Sequence, residues 1–178
     1  MTRSWSVIAA GATALLFGST ALSATTIDNR VAVGRAIAPV PLDLTGKDEI
    51  DVWLGSYIVN SVGACNDCHT SPPYVEGGNP FLGEPEQINV DHYLCGGTDF
   101  GAAISSNITP DEHGLPAGLE RDEFIELMRT GEEPDGELLQ VMPWPLIGKM
   151  IHRDLRAVYA YLTAIPSCDT EESAGSGD

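Results

Sequence analysis

The chain has 178 residues, 43% of them apolar, with 19 Gly and 12 Pro, which suits one globular domain of ordinary size. Its formal charge of −17 at neutral pH argues against nucleic acid as a partner. The cysteines form an even set: Cys65, Cys68, Cys95 and Cys168.

The N-terminus reads as an export signal over residues 1–23. Arg3 supplies a short positive segment, "VIAAGATALLFG" (7–18) an apolar one, and "STALSA" (19–24) small residues for cleavage after Ser23. The apolar run falls short of the roughly 20 residues that a membrane span requires. No later segment is apolar enough to span, so the mature chain is expected to be exported, periplasmic in a bacterium, without a transmembrane segment.

Residues 24–44 show no sustained period and predict an extended lead-in. A helix is predicted over 45–63, with Thr45 as N-cap and Asp48 and Glu49 in the first turn, where the helix dipole favours acids. Ile50, Leu54, Tyr57, Ile58, Ser61 and Val62 form its stripe. Gly55 interrupts that stripe at up to ~1 kcal/mol against Ala, which makes sense where another helix crosses closely. A second amphipathic helix is predicted over 119–131, with Leu119, Phe124, Leu127 and Met128 inward and Gly131 as C-cap. A third covers 151–166, with Leu155, Val158, Tyr159 and Leu162 inward and Pro166 as its stop. Residues 167–178 read as an acidic flexible tail.

Two long stretches, 70–118 and 132–148, are rich in Gly, Pro and polar residues. Structureless segments of that length are uncommon in compact domains, and three modest helices bury little apolar area between them. A flat apolar cofactor wrapped by loops would account for both.

The segment "ACNDCHTSPP" (64–73) names that cofactor. Cys65 and Cys68 are three apart, so on one helical turn both thiols point the same way, toward the two vinyl groups of a haem. His69 follows at once and is placed to turn its imidazole to the iron. Cys-x-x-Cys-His is the signature of covalent haem c. Two alternatives use the same letters. Zinc would need two further ligands, Cys95 with Cys168 or His92. A dithiol redox motif belongs at the end of a strand in a βαβ pattern, whereas here the motif ends a helix.

A single histidine leaves the sixth iron position. Met142, in "LLQVMPWPLIG" (138–148) and stiffened by Pro143 and Pro145, is the candidate; a thioether favours ferrous iron and raises the potential. Met128 reads as core, as does Met150, and His92, His113 and His152 are the alternative ligands. Cys95 and Cys168 are left over, and free thiols are uncommon outside the reducing cytosol. They are expected to pair, the alternatives being unpaired thiols or a bridge between molecules.

Taken together, these residues resemble the class I cytochrome c family, from about Asp48 to Pro166. The order of "GSYIVNSVGACNDCHTSP", "GGTDFGAAISSNITPDEHG", "EFIELMRTG", "VMPWP" and "DLRAVYAYL" is similar to that of cytochromes serving bacterial periplasmic dehydrogenases as subunits or electron acceptors. The resemblance implies an all-α cytochrome c fold, about three main helices with long loops around one haem, in a domain over 45–166. It implies that the terminal helices cross with Gly55 and Tyr57 against the Tyr159–Leu162 region. It also implies that a carbonyl near Pro72 or Pro73 accepts the Nδ1 proton of His69, and that Asn107, Thr109, Pro110 and Trp144 line the haem. The chain departs from those dehydrogenase subunits in carrying one haem motif where they usually carry three, and in having Cys95 and Cys168.

The function expected is electron transfer, not bond-changing catalysis: one haem c with His69 and Met142 on the iron, passing single electrons between a dehydrogenase and a terminal oxidase or reductase. The alternatives are a haem enzyme or gas or redox sensor with a displaceable sixth ligand, and a fixed cytochrome subunit of an oxidoreductase complex.

Overall fold

The computed structural model describes residues 29–168. The expected export signal and all but the first two residues of the expected tail lie outside them.

The described chain is helical, and its only β-type pairings are isolated bridges. The first helix, α1 (29–37), replaces part of the extended lead-in expected over 24–44. It is held by tertiary contact, which a search for periodicity does not register. Ser56 Oγ donates to the Gly34 carbonyl at 2.7 Å, and the Arg35 guanidinium lies 5.5 Å from the Trp53 ring centroid. Val31 packs against Leu54, Ile58 and Ala157.

The helix expected over 45–63 is two elements. α2 spans Glu49–Tyr57, and its N-cap is Asp48, not Thr45: the Asp48 carboxylate accepts from the N–H groups of Ile50 and Asp51 at 2.9 and 3.2 Å. A π-helical turn follows over Ile58–Val62, closed by the Gly63 N–H on the Ile58 carbonyl at 2.7 Å. A π-turn inserts one extra residue per turn, so it rotates the following side chains away from the stripe that 3.6 periodicity predicts. Val52, Leu54, Ile58 and Val59 are buried, while Ile50 and Val62, both expected inward, are exposed. Ala64, at φ 48°, then turns the chain into α3 (Cys65–His69). The Cys-x-x-Cys-His motif is thus a short helix of its own, not the end of the preceding one.

α4 (Arg121–Thr130) opens on the Glu123 carboxylate accepting the Glu120 N–H at 2.9 Å and closes on Gly131 at φ 71°. A short helix, α5 (Trp144–Ile147), stands inside the expected 132–148 loop, and α6 runs His152–Leu162. α2 packs against α6, and α4 packs on both α5 and α6. Val52, Val59, Leu94, Phe124, Met128, Leu155, Tyr161 and Leu162 form the centre of the core.

The 70–118 segment is ordered by turns and bridges. Thr70 pairs with Gly96, Tyr74 with Ile88, Asp99 with Ile104 and Pro110 with Pro116, with 3₁₀ turns at Pro80–Leu82 and Val90–His92. Cys95 and Cys168 form a disulfide, Cα–Cα 5.8 Å, tying this segment to the end of α6. Beside it the Tyr93 hydroxyl donates to Asn60 Oδ1 and lies 3.0 Å from the Tyr161 hydroxyl. Asn60 Nδ2 completes the group by donating to the Ser56 carbonyl at 3.0 Å. The hydroxyls of Tyr93 and Tyr161 are thereby satisfied within the core, as burial requires.

Candidate haem site

α3, the 100–108 loop, α4, the Met142 loop and α6 enclose a cavity of about 390 Å³, within the range of small-molecule sites. Its wall is mainly apolar: Ile58, Ile104, Leu119, Phe124, Leu127, Ile147, Leu155 and Leu162 all face it. Cys65, Cys68, His69, Asn107 and Met142 open onto this one space. Because α3 is helical, positions i and i+3 bring both sulfurs to one wall.

The thiols do not resemble those of a redox-exchange motif. Burial pushes the Cys65 thiol up to about 12, and burial, reinforced by Asp67, also pushes Cys68 upward. Reactive thiols of exchange motifs are shifted the other way. Zinc finds no support, because Cys95 and Cys168 are bonded to each other. Among the described residues no three His, Cys, Asp or Glu side chains gather as a metal site.

His69 Nδ1 lies 2.8 Å from the Ser106 carbonyl oxygen. A carbonyl only accepts, so Nδ1 carries the proton and Nε2 keeps its lone pair. Burial holds the imidazole below its ordinary value, against the opposing effect of the Ser106 bond, and so favours the neutral ring. The acceptor expected from the family resemblance, the Pro72 or Pro73 carbonyl, is engaged elsewhere. Pro72 O takes the Asn89 side-chain amide at 3.0 Å, and Pro73 O takes Asn66 Nδ2 at 3.2 Å and the Asn89 N–H at 3.1 Å.

Nothing in the sequence marks Ser106, because a backbone acceptor leaves no side-chain signature. The signal that existed was Gly96. An added Cβ there would stand 2.5 Å from Ser105 O and the Ser106 carbonyl carbon, so only glycine lets the two segments stack. The Gly96 N–H also donates to the His69 carbonyl at 2.6 Å. The Gly97 N–H donates to Ser105 O at 2.9 Å, so the Gly96–Gly97 pair links the residue carrying the imidazole to the segment that orients it.

Of the remaining candidates, Asn107 is in the wall, but Pro72, Thr109 and Trp144 do not line the cavity. Thr109 is fully buried. Its hydroxyl donates to Asn107 Oδ1 at 2.7 Å and accepts the Cys168 N–H at 3.1 Å, so it joins the loop to the end of α6 beside the disulfide. Trp144 packs on Gly131 at the end of α4, its ring 2.3 Å from where a Cβ would stand. That packing helps pin the Met142 loop, as do Arg129 Nη1 on the Gly148 carbonyl at 2.7 Å and the Leu139 N–H on the Gly131 carbonyl at 2.9 Å. Met128 and Met150 also line the cavity, Met128 from within the core as expected.

Helices and turn-rich loops closed around an apolar cavity, with a Cys-x-x-Cys-His helix in its wall, make the architecture an all-α cytochrome c fold. The chain is similar to cytochrome c subunits of bacterial dehydrogenases. It is 32% identical over 111 residues to the gluconate 2-dehydrogenase cytochrome c subunit of Pantoea cypripedii, covering 62% of this chain and 22% of that protein. It is 30% identical over 116 residues to the cytochrome c subunit of the quinone-type alcohol dehydrogenase of Gluconobacter oxydans (64% and 21%). The corresponding subunit of Gluconacetobacter polyoxogenes is 31% identical over 129 residues (72% and 24%). The chain thus spans less than a quarter of the length of these relatives. No protein-family model matches it.

Proposed function

We propose that the chain is an exported electron carrier holding one haem c, working beside or within an oxidoreductase. The observation that carries this reading is the convergence of Cys65, Cys68, His69 and Met142 on one apolar cavity. The donor set fits the group: two thiols on one helical turn for its vinyl carbons, a neutral imidazole, a thioether and apolar walls for its flat face. Haem, when bound, supplies reversible one-electron chemistry. In this reading Cys65 and Cys68 form the two thioether links, His69 presents Nε2 to the iron and Met142 its sulfur. Ser106 fixes the imidazole and raises its basicity through the Nδ1–H bond. The apolar wall excludes water and so disfavours the more charged ferric state. Residues 1–23 are the cleaved export signal, 45–166 the carrier domain and 167–178 its tail, and the site of action is the periplasm.

The relatives are named as dehydrogenase subunits, which supports a dehydrogenase as electron donor. It also favours a second reading, a cytochrome fixed within such a complex. The acceptor would be a terminal oxidase or reductase. Among the described residues no helix is long and apolar enough to cross a membrane. Potentiometric titration of the purified protein tests the carrier reading. A single one-electron transition, with the ferrous form slow to bind carbon monoxide, is expected; immediate binding would point to the enzyme or sensor class.

A further inference from the structure

We infer that the excursion between Tyr74 and Val90 is a docking element, whose Phe81 and Leu82 enter an apolar socket rimmed by Lys and Arg on a partner protein. Phe81 and Leu82 are 78% and 74% exposed, the two most exposed large apolar side chains among the described residues. Scattered exposed apolar residues are ordinary, but these two are adjacent and held out by a built turn. Asn79 Oδ1 accepts the Phe81 N–H at 2.9 Å, and Glu84 Oε2 accepts the Asn79 N–H at 2.8 Å. The Leu82 and Gly83 N–H groups close on Asn79 O and Pro80 O, both at 3.0 Å. A preformed apolar knob loses little freedom on docking.

The root of the excursion is tied to the helix that bears the haem motif. The Tyr74 hydroxyl donates to Asp67 Oδ1 at 2.8 Å, Asn66 Nδ2 to Pro73 O at 3.2 Å, and the Tyr74 ring meets Phe81 edge-on, centroids 6.3 Å apart. A partner seated on Phe81 is thereby registered against α3, while the cavity lining includes no residue of this excursion.

Charge identifies the kind of partner. No Lys or Arg occurs between Lys47 and Arg121, and Glu76, Glu84 and Glu86 sit on the excursion itself. An anionic bilayer or a second copy of this chain would be repelled, while a basic rim would be attracted and would speed encounter. The inference rests on the carrier reading only for the identity of the partner as an oxidoreductase.

The experiment places a photo-crosslinking residue, Phe81→p-benzoylphenylalanine, in the full chain expressed in its native cells, and identifies crosslinked peptides by mass spectrometry. The expected peptide comes from an oxidoreductase subunit and carries apolar residues bordered by Lys or Arg. The double variant Phe81→Ser, Leu82→Ser should weaken binding of that purified partner at least about tenfold, with haem content unchanged and the unfolding midpoint lowered only slightly, since both side chains are exposed and only the Tyr74 edge contact is lost. Crosslinks confined to a second copy or to lipid, or unchanged affinity in the double variant, overturn the docking element. Haem content in the same samples separates the two readings. A haem-loaded chain with an indifferent knob refutes the docking element alone, and a haem-free chain that still crosslinks refutes the carrier reading alone.

Discussion

Gly55 of α2 lies directly against Ala157 of α6: a Cβ on Gly55 would stand 1.9 Å from the Ala157 carbonyl oxygen and 2.7 Å from Tyr161 Cβ. Two effects of Gly55→Ala oppose each other. Alanine gains up to ~1 kcal/mol of helix propensity, but the overlapping atoms include backbone, which yields little, and overpacking of this kind costs about 1–3 kcal/mol. The clash wins. Gly55→Ala is expected to lower the denaturant midpoint of the purified protein; an unchanged or raised midpoint would mean the helices do not cross so closely.

The buried tyrosines set the alkaline limb of stability. Burial, then the neighbouring Tyr161, raise Tyr93 well above the ordinary phenol value, and burial raises Tyr161 as well. Between the unfolded value near 10 and the raised folded ones, the folded state binds more protons, so stability falls as pH rises. Unfolding free energy should be insensitive to these groups below about pH 10 and should decline above it. Tyr93→Phe should flatten that decline. A Tyr93→Phe protein with the wild-type alkaline limb would remove Tyr93 from the account.

The Cys95–Cys168 bridge spans a sequence separation of 73. In the chain-entropy model a loop of this size is worth roughly 4 kcal/mol. Titration of the denatured, unreduced protein should find neither thiol free, and Cys95→Ser with Cys168→Ser should lower stability by up to about that amount. Two titratable thiols per chain from these positions would contradict the bridge.

Helices α4 and α6 were legible in the sequence because each is an amphipathic stripe; Gly131 caps α4 as expected, whereas α6 ends at Leu162 with Thr163 as its C-cap, short of the stop expected at Pro166. The Cys-x-x-Cys-His segment was legible because its spacing is itself what the proposed haem attachment needs. What escaped was non-local. α1 forms by resting on α2, the π-turn at Ile58–Val62 breaks the 3.6 period, and Ser106 acts through its backbone carbonyl. Thr109 and Trp144, expected at the haem from the family resemblance, lie outside the cavity wall, where Thr109 holds Cys168 and Trp144 seats on Gly131.

Three methionines line the cavity, Met128, Met142 and Met150. Met142 is the expected iron ligand, since it lies on the loop pinned to α4 and is flanked by Pro143. The oxidised protein should show the weak near-infrared sulfur-to-iron band, and Met142→Ala should abolish it and lower the reduction potential. Met128→Leu should keep the band. Survival of the band in Met142→Ala would pass the ligand role to another of the three.

The central claim is a haem covalently held by Cys65 and Cys68, and the most direct measurement is the mass of the intact polypeptide after denaturation and extraction with acidic organic solvent. One haem's mass added to the chain, with the colour remaining on the protein, is the result expected, and replacing both cysteines with Ser should abolish it. A bare polypeptide mass from the native protein, with the colour in the solvent, would contradict the claim.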